Sequence, residues 1–198
     1  MIYCFLRAIF CVLYKLVFRA EILGKENLPR EGAVILAANH MSNVDPPLLA
    51  TFLPRPVCYM AKQELFEVPI LGFVITRAHS FPVKRGSGDR GAIKAAVTVL
   101  KQGRVLGLFP EGTRSKDGKI HKAEAGVALI ASMTNTPVVP ACIVGTDHIL
   151  KNGGFLPKLK VIYGKSMRFS GNRKEKSELE AFSQSIMDAI AKMRDENR

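Results

Sequence analysis

The chain has 198 residues, and its 29 Lys and Arg against 17 Asp and Glu give a formal net charge of +12 and an isoelectric point near 9.8. This length fits one domain with a core large enough to need no disulfide or metal. The charge predicts an anionic partner: nucleic acid, anionic lipid or a phosphorylated substrate. The sequence has no helix-turn-helix, zinc-finger or RNP pattern, so we predict that nucleic acid is not a partner.

Cysteine and histidine spacing excludes the common metal and disulfide patterns. The cysteines form no C-x-x-C pair and each lies in an apolar segment, which predicts reduced thiols. The histidines are far apart, and none belongs to an H-E-x-x-H motif. We therefore predict neither a metal site nor a bound cofactor. The residues concerned are Cys4, Cys11, Cys58, Cys142, His40, His79, His121 and His148.

Residues 1–20 are strongly apolar but are interrupted by Arg7, Lys15 and Arg19. The longest uncharged run has seven residues, too short to span a bilayer. On a helix the three cations fall within about 120° of one another and leave an apolar remainder. We predict an amphipathic membrane-anchoring helix over 1–20, ahead of a single domain over 21–198. The alternative is a helix docked on the protein's own core.

The rest of the chain alternates apolar strands with helical patterns, which is typical of an α/β domain with a mostly parallel or mixed sheet flanked by helices. Pro69 and Gly72 argue against one straight helix over 65–76. A capping box at 177–180 predicts the start of the closing helix. Strands are predicted at 34–38, 57–61, 105–109, 138–144 and 158–163, and helices at 45–50, at 122–135 and between the glycines of 86–91 and Gly103.

His40 follows the strand at 34–38 and precedes Asp45 by five residues. Histidine titrates near neutral pH, so it can take a proton there, and a nearby carboxylate can fix its tautomer. We interpret the pair as a general base with an orienting acid. Asp45 is also the expected N-cap of a short helix, with Pro46 at its first position.

Two loops at predicted strand ends carry arginines. Glu111, Gly112, Thr113 and Arg114 follow the strand at 105–109, and ligand sites of α/β sheets lie at such ends. Arg85 follows the apolar segment at 80–83 and precedes a glycine-rich turn that could hold a phosphate. Guanidinium groups bind phosphate through two parallel hydrogen bonds.

The same glycines form a possible dinucleotide-binding motif. Gly86, Gly88 and Gly91 spell G-x-G-x-x-G after a strand, and Glu111 follows 20 residues after Gly91. The strand contains Pro82 and ends in two cations, unlike the buried strand that normally precedes such a loop. The motif leaves a nicotinamide-dependent oxidoreductase as a weaker alternative.

Four blocks occur in a fixed order: NHMSNVD at 39–45, FPVKRG at 81–86, FPEGTRS at 109–115 and VVP at 138–140. Together they resemble the glycerophospholipid acyltransferase family, in particular its 1-acylglycerol-3-phosphate acyltransferases, from about Gly24 to Gly145. The resemblance implies that His40 is the base and Asp45 its partner. It also implies that Arg85, Glu111, Gly112, Thr113 and Arg114 bind the acyl acceptor. Lys84 is a departure, because many relatives carry an acidic residue there.

The implied reaction moves an acyl group from acyl-CoA or acyl-carrier protein to the sn-2 hydroxyl of 1-acylglycerol 3-phosphate (lysophosphatidic acid), giving phosphatidic acid. The expected location is the cytoplasmic face of an anionic membrane, in a peripheral or monotopic arrangement. Backbone N–H groups near Glu111 and Gly112 are candidate oxyanion donors. The alternatives are an acyltransferase with another lysophospholipid acceptor and a non-catalytic lipid-binding module.

Overall fold

One sheet organises the computed structural model, which describes residues 2–83, 90–149 and 156–197, with Ile2 described in its backbone only. Within those residues the sheet has seven strands in the order β1-β7-β6-β2-β5-β3-β4. The strands are β1 (Glu21–Leu23), β2 (Val34–Ala38), β3 (Val57–Lys62), β4 (Phe81–Val83), β5 (Val105–Leu108), β6 (Val138–Val144) and β7 (Lys160–Tyr163).

Strand direction makes the sheet mixed. β2, β3, β4, β5 and β6 run parallel to one another, β7 pairs with β6 in the antiparallel sense, and β1 runs parallel to β7. The central strand β2 lies between β5 and β6, and all five of its residues are buried. Strands covered on both faces are apolar throughout, as this one is. The predicted single α/β domain with a mostly parallel or mixed sheet is confirmed.

Helices cover both faces of the sheet. One face, which we call the α1 face, packs against the N-terminal helix α1 (Ile2–Val12), its π-helical continuation (Leu13–Val17) and α2 (Asp45–Thr51). The core on this face includes Tyr14, Leu48 and Leu49. The other face, which we call the α7 face, packs against α5 (Arg90–Lys101), α6 (Gly126–Thr134) and α7 (Lys176–Asp195). Further helices are α3 (Gln63–Glu67) and α4 (Pro69–Arg77), with 3-10 turns at Lys25–Asn27 and Thr146–His148.

The segment 65–76 is divided as predicted, with α3 ending before Val68 and α4 beginning at Pro69. Proline is well tolerated in a first helical turn because the amide there has no partner within the helix. Gly72 allows the two helices to pack, because a Cβ at this position would overlap the carbonyl of Phe66. Pro69 and Gly72 therefore each have a structural role: Pro69 begins α4, and Gly72 allows α3 and α4 to pack closely.

Two predicted helix starts are wrong. The helix expected from Lys122 begins only at Gly126, because the amide of Glu124 donates to the carbonyl of Pro110 at 2.8 Å and draws the chain along the preceding loop. The capping box at 177–180 does not form, since α7 begins at Lys176 and Glu175 occupies the N-cap position without a side-chain bond. The Glu178 carboxylate instead accepts from the amide of Asn172 at 2.7 Å.

The three cations of the N-terminal segment each contact a residue in another part of the chain. Arg7 donates through Nε to the carbonyl of Thr51 at 2.8 Å, and Arg19 donates to the carbonyl of Leu156 at 3.1 Å. The Lys15 ammonium lies over the ring of Phe52, 5.9 Å from its centroid. One side of the segment is thus docked on the protein's own core, as the alternative interpretation expected.

The opposite side of the segment is apolar and exposed. Phe5 is 67% exposed and Leu16 is 75% exposed, and Ile9 and Val12 are also exposed. α4 adds further exposed apolar side chains, of which Ile70 is 82% exposed. α1 meets the end of α4 where the ring of Tyr3 lies edge-on to His79, at 5.3 Å between centroids. Among the described residues, no helix combines the length and apolar character needed to cross a membrane.

Gly107 supplies a stability prediction, because it lies between Leu36 and Tyr59 in the sheet and the Tyr59 ring crosses its Cα. A methyl group there would overlap that ring, so we expect Gly107→Ala to lower the free energy of unfolding by about 1–3 kcal/mol. Urea denaturation measures this change. Gly126→Ala is the control, because a Cβ at Gly126 meets no atom within 4 Å. Equal stability of the two variants would mean that the Tyr59 ring is not confined.

Candidate active site

The carboxyl ends of β2 and β5 bring two of the sequence blocks together. Ala37 and Leu108 are paired in the parallel ladder, His40 follows shortly after β2, and Phe109 directly follows β5. The amide of Ser115 donates to the carbonyl of His40 at 2.8 Å and joins the two loops. The segments 39–45 and 109–115 therefore form one site at this edge of the sheet.

Asn39 extends the β2–β6 pairing beyond the last paired residues. Its side chain is fully buried, its Nδ2 donates to the carbonyl of Ile143 at 2.9 Å, and its Oδ1 accepts from the Ile143 amide at 2.8 Å. The carboxamide thus takes the place of a backbone peptide, which leaves the chain free to turn at His40. We assigned no function to Asn39 from the sequence. The available signal was a polar residue continuing a fully apolar strand.

Asp45 organises the turn that carries His40. Its side chain is fully buried, and Oδ2 accepts from the Met41 amide at 2.6 Å, the Ser42 amide at 2.6 Å and His40 Nδ1 at 2.9 Å. The predicted N-cap role is wrong, because α2 begins at Asp45 itself and the N-cap residue is Val44. The carboxylate faces back across the turn instead of toward its own helix. The predicted His40–Asp45 contact is present.

The contact with Asp45 determines which nitrogen of His40 is free. A carboxylate only accepts hydrogen bonds, so Nδ1 is the donor in this contact, and in the neutral imidazole the lone pair lies on Nε2. Nε2 has no partner among the described residues, and the side chain is 15% exposed. The imidazole stacks on Phe109 at 4.0 Å and 19°, and Phe109 stacks in turn on Tyr59 at 6.0 Å and 12°. The imidazole of His40 is therefore held in one orientation, with Nε2 as its free nitrogen.

Two buried tyrosines hold α2 against the sheet. The hydroxyl of Tyr163 donates to the carbonyl of Leu49 at 2.7 Å, and that of Tyr14 donates to the carbonyl of Val44 at 3.4 Å. Burial raises the pKa of both phenols, and the Asp45 charge raises the pKa of Tyr14 further. Both hydroxyls consequently stay protonated and can donate.

Glu111 connects the two loops through backbone amides. It is buried, Oε1 accepts from the His40 amide at 2.9 Å, and Oε2 accepts from the His121 amide at 3.1 Å. Both carboxylate oxygens therefore hold the backbone on either side of the site. A direct contact between Glu111 and substrate stays a prediction.

The remaining predicted residues lie on the exposed part of the loop after β5 or outside the described residues. Gly112 has φ +70°, which favours glycine, and its amide donates to the Phe109 carbonyl at 3.0 Å, so this candidate oxyanion donor already has a partner. Thr113 and Arg114 are exposed. Arg85 lies outside the described residues, as do Gly86 and Gly88 of the dinucleotide motif. The described residues hold no cluster of three or more His, Cys, Asp or Glu placed to bind a metal.

Comparison with known proteins relates this site to a family. The acyltransferase family model matches residues 19–144, more than half of the chain, and includes all four sequence blocks. The chain is 34% identical over 151 residues to the 1-acyl-sn-glycerol-3-phosphate acyltransferase of Bacillus subtilis (strain 168), covering 74% of this chain and 73% of that protein. It is 32% identical over 139 residues to the chloroplastic enzyme BAT2 of Brassica napus, covering 69% of this chain and 40% of that protein.

A solved structure has the same fold over the whole chain. The crystal structure of the 1-acyl-sn-glycerophosphate (LPA) acyltransferase PlsC from Thermotoga maritima superposes with a TM-score of 0.77 at 28% identity. The match covers 100% of this chain and 78% of that one. Sequence and structure agree, and the chain belongs to the acyltransferase family.

Proposed function

We propose that the chain transfers a fatty acyl group from a thioester, acyl-CoA or acyl-carrier protein, to the sn-2 hydroxyl of 1-acylglycerol 3-phosphate. The observation that carries this proposal is the geometry of His40, whose Nδ1 is held by Asp45 while Nε2 stays open. The names of the relatives in Bacillus subtilis and Thermotoga maritima support the choice of acceptor.

His40 Nε2 would take the proton of the acceptor hydroxyl as its oxygen attacks the thioester carbonyl. The tetrahedral intermediate then expels the thiolate, which receives the same proton from the imidazolium. Asp45 stabilises the imidazolium while it exists, because its carboxylate lies 2.9 Å from Nδ1. The products are the diacyl phosphate lipid and a free thiol, and no covalent acyl-enzyme is formed.

Arg114 would bind the acceptor phosphate, together with Arg85, and Thr113 lies beside Arg114 in the chain. Arg114 is exposed and directly precedes Ser115, whose amide contacts the His40 carbonyl. A guanidinium group binds phosphate through two parallel hydrogen bonds. Glu111 and Gly112 would contribute by shaping the loop, through the two amides that Glu111 accepts from and the positive φ of Gly112.

We further propose that the protein binds one leaflet of a membrane through the exposed apolar side of α1 and α4, as a peripheral or monotopic protein. The exposed side chains Phe5, Leu16 and Ile70 support this arrangement. Lys15 and Arg19 are exposed and have no acidic partner among the described residues, so they would add an attraction to anionic lipid. The cysteines are free thiols, which fits a reducing compartment and hence the cytoplasmic side.

The role of His40 is tested by His40→Ala. We expect the rate of thiol release from acyl-CoA and lysophosphatidic acid to fall by about 10²–10⁴-fold, because the proton then has no positioned acceptor. His148→Ala is the control, since His148 also contacts an aspartate, Asp147 at 3.5 Å, but is 61% exposed. Near-normal turnover by His40→Ala would overturn the assignment of the base.

The role of Arg114 is tested by Arg114→Lys, which keeps the charge but loses the paired hydrogen bonds. We expect the acceptor KM to rise about 10–100-fold, as for loss of a charged hydrogen bond, with the donor KM unchanged. Arg173→Lys is the control, on an exposed arginine far from the site. Parallel assays with lysophospholipids of other headgroups identify the acceptor. An unchanged acceptor KM would remove Arg114 from the phosphate site.

Membrane binding is tested by the pair Phe5→Gln and Leu16→Gln. Each exposed apolar side chain contributes about 1–2 kcal/mol when buried in lipid, so the double variant should bind vesicles about 30-fold to 1,000-fold more weakly. Sedimentation with vesicles of zwitterionic and of mixed anionic lipid measures this. Met133→Gln is the control, because Met133 is 47% exposed on the α7 face. Undiminished binding of the double variant would relocate the membrane contact.

A further inference from the structure

The loop between β5 and α6 carries an unpaired set of cations. We call residues 112–122 the lysine loop; it contains Arg114, Lys116, Lys119 and Lys122 against a single acid, Asp117. All four cationic side chains are exposed, and none forms an ion pair with any residue that the structure describes. Such a cluster attracts polyanions over distances comparable to the Debye length.

Asp117 shapes the loop rather than pairing with its lysines. Its Oδ1 accepts from the Lys119 amide at 3.1 Å, from Ser115 Oγ at 2.9 Å and from His121 Nε2 at 2.9 Å. The bond from the Lys119 amide, with the others, lowers the pKa of Asp117 to about 2. The carboxylate is therefore engaged by the turn itself, and the ammonium groups remain available.

The lysine loop packs on the α7 face, away from the exposed apolar side of α1. Ile120 packs against the core of that face, and Arg194 of α7 donates to the carbonyl of Gly118 at 2.6 Å. At its other end the loop is joined to the site by the bond from the Ser115 amide to the His40 carbonyl. Its lysines thus belong to the loop that contacts His40 through Ser115, and this loop packs on the face of the sheet opposite the proposed membrane surface.

We propose that Lys116, Lys119 and Lys122 bind the phosphate groups of the acyl-thioester donor. This inference rests on the proposed function, because it names the surface by which that reaction receives its second substrate. A phosphopantetheine thioester is water-soluble and carries phosphate groups, whereas the lipid acceptor would reach the site from the membrane leaflet. A cationic surface on the α7 face fits the water-borne substrate, and it steers that substrate toward His40.

The test compares donors with and without phosphate. The variant carries Lys116→Glu, Lys119→Glu and Lys122→Glu, and each donor is used at saturating lysophosphatidic acid. We expect the KM for acyl-CoA to rise about tenfold or more, with kcat and the acceptor KM within about twofold. Acyl-pantetheine, which has no phosphate, should be a poorer donor than acyl-CoA for the wild-type chain, and the variant should lose that difference.

The matched control reverses three cations at the opposite end of the sheet: Lys165→Glu, Arg173→Glu and Lys174→Glu. These residues are exposed and follow β7, whose end lies beside the start of β6. The control makes the same change of net charge, and its donor KM should stay at the wild-type value. Thermal denaturation checks that both variants are folded.

Acyl-carrier protein as a third donor distinguishes the two sources of the phosphate. A higher KM for acyl-CoA, for acyl-carrier protein or for both supports the proposal and identifies the donor that uses the surface. An unchanged KM for both overturns it while leaving the proposed function intact. A wild-type chain that releases no thiol with any donor overturns the proposed function and this assignment with it.

Discussion

One buried carboxylate oxygen holds together the turn on which the site depends. Asp45 Oδ2 accepts from two backbone amides and from the imidazole of His40, with no exposure to solvent. Hydrogen bonds to a charged group contribute about 1.5–3 kcal/mol each, and a buried donor left without a partner costs a similar amount. The position of the imidazole is therefore coupled to the folding of the turn itself. Tyr163 and Tyr14 fix the helix that begins at Asp45 and complete this coupling.

The surfaces on the two sides of His40 differ in polarity: the surface on the α1 side is mainly apolar, and the surface on the α7 side carries the cations of the lysine loop. Most of the exposed large apolar side chains belong to the N-terminal segment and to α4, and the lysine loop packs on the α7 face. Glu111 and the amide of Ser115 join the loops from β2 and β5 between them. The proposed reaction between a lipid and a water-soluble thioester would use this arrangement, with each substrate arriving from its own phase.

The parts of the fold that could be predicted are those set by local pattern. β2 and β6 have the predicted bounds because a strand covered on both faces must be apolar along its whole length. The start of α6 could not be predicted, since it depends on the bond between Glu124 and Pro110 across a loop. In the site, the spacing of His40 and Asp45 was visible, whereas the pairing of Asn39 with Ile143 joins residues far apart in the chain. Periodicity likewise revealed the cations of the N-terminal segment but not that Arg7 contacts Thr51 and Arg19 contacts Leu156.

The contacts of Arg7 and Arg19 have a consequence for the order of folding. Arg7 bonds to a carbonyl 44 residues further along the chain, and Arg19 bonds to one 137 residues further along. Contacts between residues so distant in sequence form late, because a long loop must close first. Until then side chains that the folded core buries, such as Tyr14, are exposed together with the apolar side chains that stay exposed in the folded chain. The nascent segment is thus apolar on more than one side, and folding leaves only the side that carries Phe5 and Leu16 exposed.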